Sequence, residues 1–372
     1  MKHKTALRPL AYQPNDLELH KALKQAVHQY LRHKNDHRFA DGLTIAKMGF
    51  LVLICLGCYW MSLRQSTSMA FFGWYFGFIF SGMLLIVNVM HDASHNAFFR
   101  ASWANVLINR LVSIPLGLDP ESWRVRHAIF HHTHTNISGY DPDIDENGVL
   151  RQTPFQQWKP FMRLQHWYWP VVAALTFPWY IWLVDWLDRA GQTRVTERLA
   201  RKGITGWTIF LGSKGSHFML ALAIPTLVLP KSISLPVIVM IYFFCQMIAS
   251  LLFVIILVGT HWAKAKFFEA PEQGNMPHNR YQHIFATTFD WHTRPTWVGY
   301  WLGGANLHLT HHLFPHWNHR HYPELSQLIA DVAAQFDLDY QNLSVSELLH
   351  FQYRYLKEMG VTPQNSPGDN DQ

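Results

Sequence analysis
Apolar and polar positions fall in blocks along this chain, and the block lengths predict its elements. Over 17–31 the apolar residues recur at helical spacing, which predicts an amphipathic helix lying on a membrane surface or against a folded cap. Block 43–63 is continuously apolar, and at about 1.5 Å per residue it can cross a hydrocarbon core about 30 Å thick. Lys47, near its start, is placed to snorkel to the interface. A short turn, 64–68, leads into a second apolar block, 69–90, so the two predict an antiparallel pair of spans. Segment 103–118 is apolar but broken by Asn105, Asn109, Arg110 and Pro115, which predicts an interfacial helix. Segment 167–187 carries Trp167, Trp169, Trp179, Trp182 and Trp186 spread along it like an interfacial aromatic belt. After a basic linker, 189–214, blocks 217–229 and 235–258 are parted only by 230–234, which predicts a second hairpin with a short first member. The remainder is polar and ends in a stretch, 364–372, of disordered composition. The chain thus divides into an N-terminal segment 1–42, a membrane domain 43–360 and a tail 361–372.

Composition agrees with a membrane protein. Of 372 residues 49% are hydrophobic and only 15% charged, against about 25% charged in soluble globular chains. The net charge of +6 does not point to nucleic acid, because the basic residues flank apolar blocks instead of forming one patch. Cys55, Cys58 and Cys245 all lie inside apolar blocks and predict neither a disulfide frame nor a zinc ribbon. No apolar run in 1–43 reads as a signal peptide.

Three groups of histidine lie beside these blocks: His91-Asp-Ala-Ser-His95, His127-Ala-Ile-Phe-His131-His132-Thr-His134 and His308-Leu-Thr-His311-His312. On an α-helix, residues i and i+4 share a face, so His127 and His131 are expected to point the same way, with His132 about 100° round. One such pair would be unremarked in a chain with 24 His, but three clusters beside long apolar segments form a pattern. Neutral imidazole with few carboxylates suits iron, copper or zinc. The loop 139–148, with Asp141, Asp143 and Asp145, resembles a calcium loop but has Gly148 at the eighth position and Gln152 at the twelfth. It reads as a surface turn whose Asp side chains can bond to His. One shared metal site requires all three clusters on one membrane side, hence an even number of crossings between them. The second hairpin supplies two, which leaves 167–187 as a re-entrant or surface element. Of 31 Lys and Arg only Arg64 and Lys231 fall in the far loops, so both termini and the clusters are expected in the cytoplasm.

In this order and between these blocks, HDASH, HAIFHH and HLTHHLFP resemble the three histidine boxes of the integral-membrane fatty acid desaturases. The similarity runs from about residue 89 to 328. It takes in Thr135-Asn136, Asp141-Pro-Asp143, Gly303-Gly304-Ala-Asn306 and Leu313-Phe314-Pro315. The nearest branch is the acyl-lipid and linoleoyl-CoA ("front-end") type; many of those begin the third box with Gln, where this chain has His308. The resemblance implies an all-α integral-membrane fold: four transmembrane helices in two hairpins under a cytoplasmic helical cap holding a di-iron site, in a bacterial inner membrane. It implies two Fe2+ ions, dioxygen as co-substrate, and His91, His95, His127, His131, His132, His308, His311 and His312 as ligands. His261, just past the last span, matches a further family ligand, although an interfacial His capping a helix reads equally well there. The haem motif of a fused cytochrome b5 domain is absent, which implies electrons from a separate ferredoxin or cytochrome b5 type carrier.

The substrate so implied is a fatty acyl lipid or acyl-CoA, whose chain lies in an apolar tunnel between spans and cap. Asp92 and Asp290 are candidates to orient ligand rings. Arg124 and Arg126 can hold a head group, or serve as anchors and ion-pair partners. His134 reads as supporting the ligands, His283 and His292 are unassigned, and His316, His319 and His321 read as surface. The competing readings are a related di-iron hydroxylase or carotenoid ketolase and, further off, a haem or metal carrier. Against a transporter, blocks 69–90 and 235–258 hold only Asn88, Gln246 and a few hydroxyl residues.

Overall fold
The computed structural model describes residues 8–361, so the expected disordered tail lies outside the described residues apart from Val361. Among the described residues three helices are long and apolar enough to cross a membrane: Gly42–Ser62, Ser68–Ser94 and Leu235–His261, or four if the bent pair Pro160–Ala174 and Thr176–Arg189 counts as one. The first two form the expected hairpin. Asp41 caps the first through Thr44 N at 2.8 Å, and Thr67 caps the second through Ala70 N. Cys55, Phe71, Tyr75, Phe78, Ile79 and Met83 build the core between them and the Leu235–Leu257 helix.

The second hairpin differs from expectation. Its first member starts at Gly203, not 217, and runs as Gly203–Phe218, a π-helical stretch Met219–Ala223 and Ile224–Val228. The basic linker is therefore partly helix. Lys214 is not a solvated linker residue: its ammonium is buried on Asp185 Oδ2 at 2.6 Å and on the carbonyls of Gly117 and Ile181. A π-helical turn leaves a carbonyl without its usual donor, which is costly in an apolar setting. Tyr59 and Tyr75, from the first hairpin, donate to Leu220 O and Ala221 O, both at 2.9 Å, and so tie the hairpins together. The tips meet as well, Ser232 Oγ lying 3.4 Å from Ser66 O.

The tryptophan-rich segment is the bent pair, turning by 54° between Ala174 and Thr176. Pro178 explains the break, since it cannot donate to Ala174 O and its ring crowds that carbonyl. Ser250 of the last span fills the gap, donating to Ala173 O at 2.6 Å and accepting from Phe177 N. Both ends of the bent pair hold on to the cap: Gln165 donates to Leu356 O, and Asp188 takes both arms of Arg126.

The Ser102–Ser113 helix turns Trp103, Leu107 and Leu111 outward and buries Asn105 and Asn109, as an interfacial helix does. The cap contains the Leu17–Lys34 helix, which packs Leu19, Leu23 and Val27 inward, and the helices Arg280–Thr287, His308–Leu313, Tyr322–Gln335 and Val345–Met359. Two short parallel strand pairs, Ala11–Gln13 with Asn275–Asn279 and Asp290–His292 with Asn342–Ser344, stitch it. Lys47 does not snorkel. It is 5% exposed and its ammonium reaches Tyr300 O and His319 Nε2, each at 2.9 Å.

Candidate metal centre
The first histidine group closes the second span. A π-helical stretch, Ile86–Met90, precedes it, and Asn88 spans the irregularity by donating to Leu84 O and Trp301 O. Gly303 and Gly304 lie against this region at φ +60° and +73°. A Cβ on the first would overlap Val87 O and one on the second the Tyr322 ring, so the motif before the third group allows backbones to meet. The second group lies in another π-helical stretch, Val125–His131, that follows the Asp119-capped turn Pro120–Arg124. The third group is the helix His308–Leu313, whose Thr310 N and Oγ1 are held by Asp290. Asp290 therefore anchors backbone and hydroxyl, not an imidazole.

These elements bring eight rings into two adjacent nests. His91, His95, His127 and His311 form one, and His131, His261, His308 and His312 the other. His132 sits between, with its Nε2 3.2 Å from His127 Nε2 and 2.9 Å from His311 Nε2, its ring stacked on His312. His127 and His131 do point the same way, but they do not share one nest. Their rings stack 5.6 Å apart, yet the ligating nitrogens go to different nests. The π winding brings i and i+5 together instead, which is why His132 meets His127. The third box divides too, His311 going to the first nest and His308 with His312 to the second.

The ring nitrogens fit metal binding. His131 Nδ1 donates to Asp141 at 3.0 Å, and His261 Nδ1 to Thr287 O at 3.2 Å. Tyr322 Oη spends its proton on Trp317 O and so accepts from His311 Nδ1 at 2.9 Å. Thr135 Oγ1 spends its own on His131 O and accepts from His312 Nδ1. In its neutral form each of these four rings then presents a bare Nε2 lone pair inward. His131 and His261 face each other at 3.1 Å, a repulsive contact unless a cation lies between. Bonds of about 2.1 Å to one metal would set adjacent ligand nitrogens about 3 Å apart. The nests show 2.7 to 3.2 Å. His95 Nε2 and His312 Nε2 are buried with no hydrogen-bond partner among the described residues.

Burial, then repulsion among neighbouring imidazoles, pushes His95, His127, His132, His308, His311 and His312 well below the ordinary histidine range, so they stand neutral and ready to ligate. His131 is the exception. Burial opposes its charge, but Asp141 and Asp143 outweigh it and raise it to about 9. The same field favours a metal cation. The aspartate loop is thus no surface turn at Asp141, which is fully buried and braced by Asn136 N and Asp143 N, although Asp145 to Asn147 are exposed.

A small apolar cavity adjoins this centre, lined by Ile86, Val87, Trp123, Phe253, Leu257 and Ala305 beside His91. Trp123 stacks on His127 at 4.5 Å. Its place four residues before His127 was a visible signal; Tyr322, eleven residues past His311, gave none. His319 and His321 are not surface residues. His319 is buried between Asp92, at 2.7 Å, and Lys47, while His321 bonds Tyr30 and His37 O. Asp92 also stands 3.6 Å from His91 Nδ1. His316 is exposed, as expected. Arg126 is committed to buried Asp188, and Arg124 to Ser94 O, so Arg126 is an ion-pair partner and not a head-group ligand. His134 bonds no box histidine; His283 bonds Thr135 O and His278, and His292 bonds Asn342.

Comparison with known proteins gives consistent results. The family model for fatty acid desaturases matches residues 67–344. A sn-1 linoleoyl-lipid 6-desaturase of Synechocystis sp. is 29% identical, covering 73% of this chain and 76% of that protein. Its counterpart in Arthrospira platensis is 26% identical, with 74% of each covered. An acyl-lipid (8-3)-desaturase of Physcomitrium patens is 25% identical, over 91% of this chain and 71% of its own length.

Proposed function
The chain belongs to the fatty acid desaturase family, and from that premise we propose that its nine clustered histidines hold two iron ions. His91, His95, His127 and His311 would surround one, and His131, His261, His308 and His312 the other, with His132 between them. The enzyme is a membrane oxidoreductase that desaturates fatty acyl chains. When bound, the irons supply the oxygen activation needed to take hydrogen from an unactivated methylene. Per turnover, dioxygen, two electrons, two protons and a –CH2–CH2– unit become –CH=CH– and two waters.

The observation that carries this reading is the pair of imidazole nests, with a small cavity of apolar surface beside His91. An acyl chain would widen this cavity from between the hairpins and reach His91 past Trp123 and Phe253, which keep water from the reacting carbons. Asp141, Thr287, Thr135 and Tyr322 hold the ring orientations, so the geometry exists before substrate arrives.

In the same reading the domain spans 43–360, with four transmembrane helices in two hairpins and both termini in the cytoplasm of a bacterial inner membrane. The acyl group is carried on a membrane lipid, the class of substrate in the relatives' names. Electrons come from a ferredoxin or cytochrome b5 type carrier. Expression in a host of defined lipids, with mass spectrometry of each lipid class and elemental analysis, tests it. New double bonds in acyl lipids and two irons per chain are expected. Stoichiometric zinc without iron in active protein, or label from 18O2 in a hydroxy acid, overturns it.

A further inference from the structure
Each double bond formed needs two electrons from outside, and nothing so far says where they arrive. The outer face of the Leu17–Lys34 helix has the right charge. Its inner face is spent on Leu19, Leu23 and Val27, while Lys21, Lys24, His28, Arg32, His33 and Lys34 stand exposed. Lys21 is offset by Glu18, and Lys34 by Glu324 at 2.7 Å. Among the described residues no carboxylate pairs with Lys24 or Arg32, which line a shallow groove with Gln25, His28 and Gln29.

From the same helix an unbroken chain of contacts leads to the metal centre. Tyr30 Oη lies 2.9 Å from His321 Nδ1, under the ammonium of Lys34. The His321 ring meets the Trp317 indole edge-on at 5.5 Å. Trp317 O accepts from Tyr322 Oη at 3.0 Å, and Tyr322 Oη in turn is 2.9 Å from His311 Nδ1. Trp317 and Tyr322 lie buried in one cluster with Leu307 and Leu325, Tyr30 packs against that cluster, and His321 and His311 are themselves buried. Tunnelling falls off steeply with every gap between atoms, so a packed and hydrogen-bonded chain ending on a ligand ring is a favoured path.

We propose that this helix face docks an acidic one-electron carrier protein, and that Tyr30, His321, Trp317 and Tyr322 conduct its electrons to His311. The proposal rests on the two-iron reading above. Two reduced carriers deliver one electron each; both electrons end in the two waters, and the side chains on the path are not themselves oxidised or reduced. An anionic lipid surface would also suit the positive face, but it would have no use for a route to a metal ligand.

The test compares turnover of the full protein in nanodiscs with three reductants: a reduced plant-type ferredoxin, a reduced soluble cytochrome b5 domain, and dithionite with methyl viologen. The small mediator needs no docking face. With whichever acidic carrier supports the unaltered protein, Lys24→Glu with Arg32→Glu raises the KM for the carrier about tenfold and flattens its salt dependence. Viologen-driven yield stays the same, which separates lost docking from misfolding. Trp317→Leu lowers kcat at saturating carrier several-fold without moving KM, and Trp317→Phe restores it. Unchanged kinetics in the charge variant, or an unaltered protein that viologen reduces and neither carrier does, overturns the proposal. So does a loss that is equal with every reductant and tracks the anionic lipid content of the disc. If the unaltered protein forms no double bond even with viologen, the two-iron reading fails first and this one with it.

Discussion
His319 shows how much of this site is carried by residues that touch no metal position. It joins Asp92 to Lys47, and all three are nearly inaccessible to solvent. Removing one partner leaves buried charges uncompensated, at a cost of about 3–5 kcal/mol. His319→Ala is therefore expected to lower the melting temperature and, because Asp92 adjoins His91, to cut activity sharply. His350→Ala, at an exposed site with no contact to the nests, leaves both near normal. Thermal melts and product yields for the two variants check this. The nests also make stability depend on pH. Six rings have folded pKa values below the unfolded 6.5, so below pH 6.5 the unfolded chain binds more protons and stability falls as pH falls. His131, held up to about 9, works the other way: its stabilisation is full below 6.5 and fades as pH rises through 9. Six against one predicts that metal-free protein melts lower at pH 5 than at pH 7.5, and a higher melt at pH 5 refutes it. The boxes themselves were legible because their spacing is local. The burial of His319, and the split of His127 from His131, were not, since they depend on partners hundreds of residues away and on π winding that residue types do not announce.

At the scale of elements, hydropathy located the first hairpin to within a few residues, because almost nothing polar lies in it. It misplaced the start of the second by fourteen, reading helix from residue 217 where the structure has it from Gly203. Lys214 and His217 count as polar in any window average, yet both are buried and bonded, to Asp185 and to Tyr242. A paired charge costs far less in the interior than its type implies. The π-helical stretch beside them makes a sharper prediction. Tyr75 Oη is the buried donor to Ala221 O. Tyr75→Phe keeps the ring and removes that hydrogen bond, leaving a carbonyl unsatisfied in an apolar core. The expected loss is about 1–2 kcal/mol in unfolding free energy, read as a lower melting temperature with iron content unchanged. No shift would mean that the carbonyl finds another donor.

Across the whole molecule, the decisive element is the bent pair. Parity alone leaves 167–187 as a re-entrant segment, and the contacts supply an independent reason. Its first end bonds to Leu356 O in the cap, and its last end to Arg126, one residue before His127. Its bend docks on Ser250, eleven residues before His261 in the last span, which is about 16 Å along the helix. That is roughly half the depth of a hydrocarbon core of about 30 Å. In the proposed topology this element leaves the cap, turns at mid-depth and returns to the cap without changing sides. In that topology the far side holds, among the described residues, the adjoining tips near Ser66 and Ser232, with Arg64 and Lys231 exposed at them. In a chain freed of Cys55, Cys58 and Cys245, a single Cys at Asn147 is expected to react with a membrane-impermeant maleimide only from the cytoplasmic face. A Cys at Ser66 reacts only from outside. Labelling of the Asn147 site from outside would make the bent pair a full crossing. It would also put the loop that holds His131 on the opposite side from His308 and His312, which no shared nest allows.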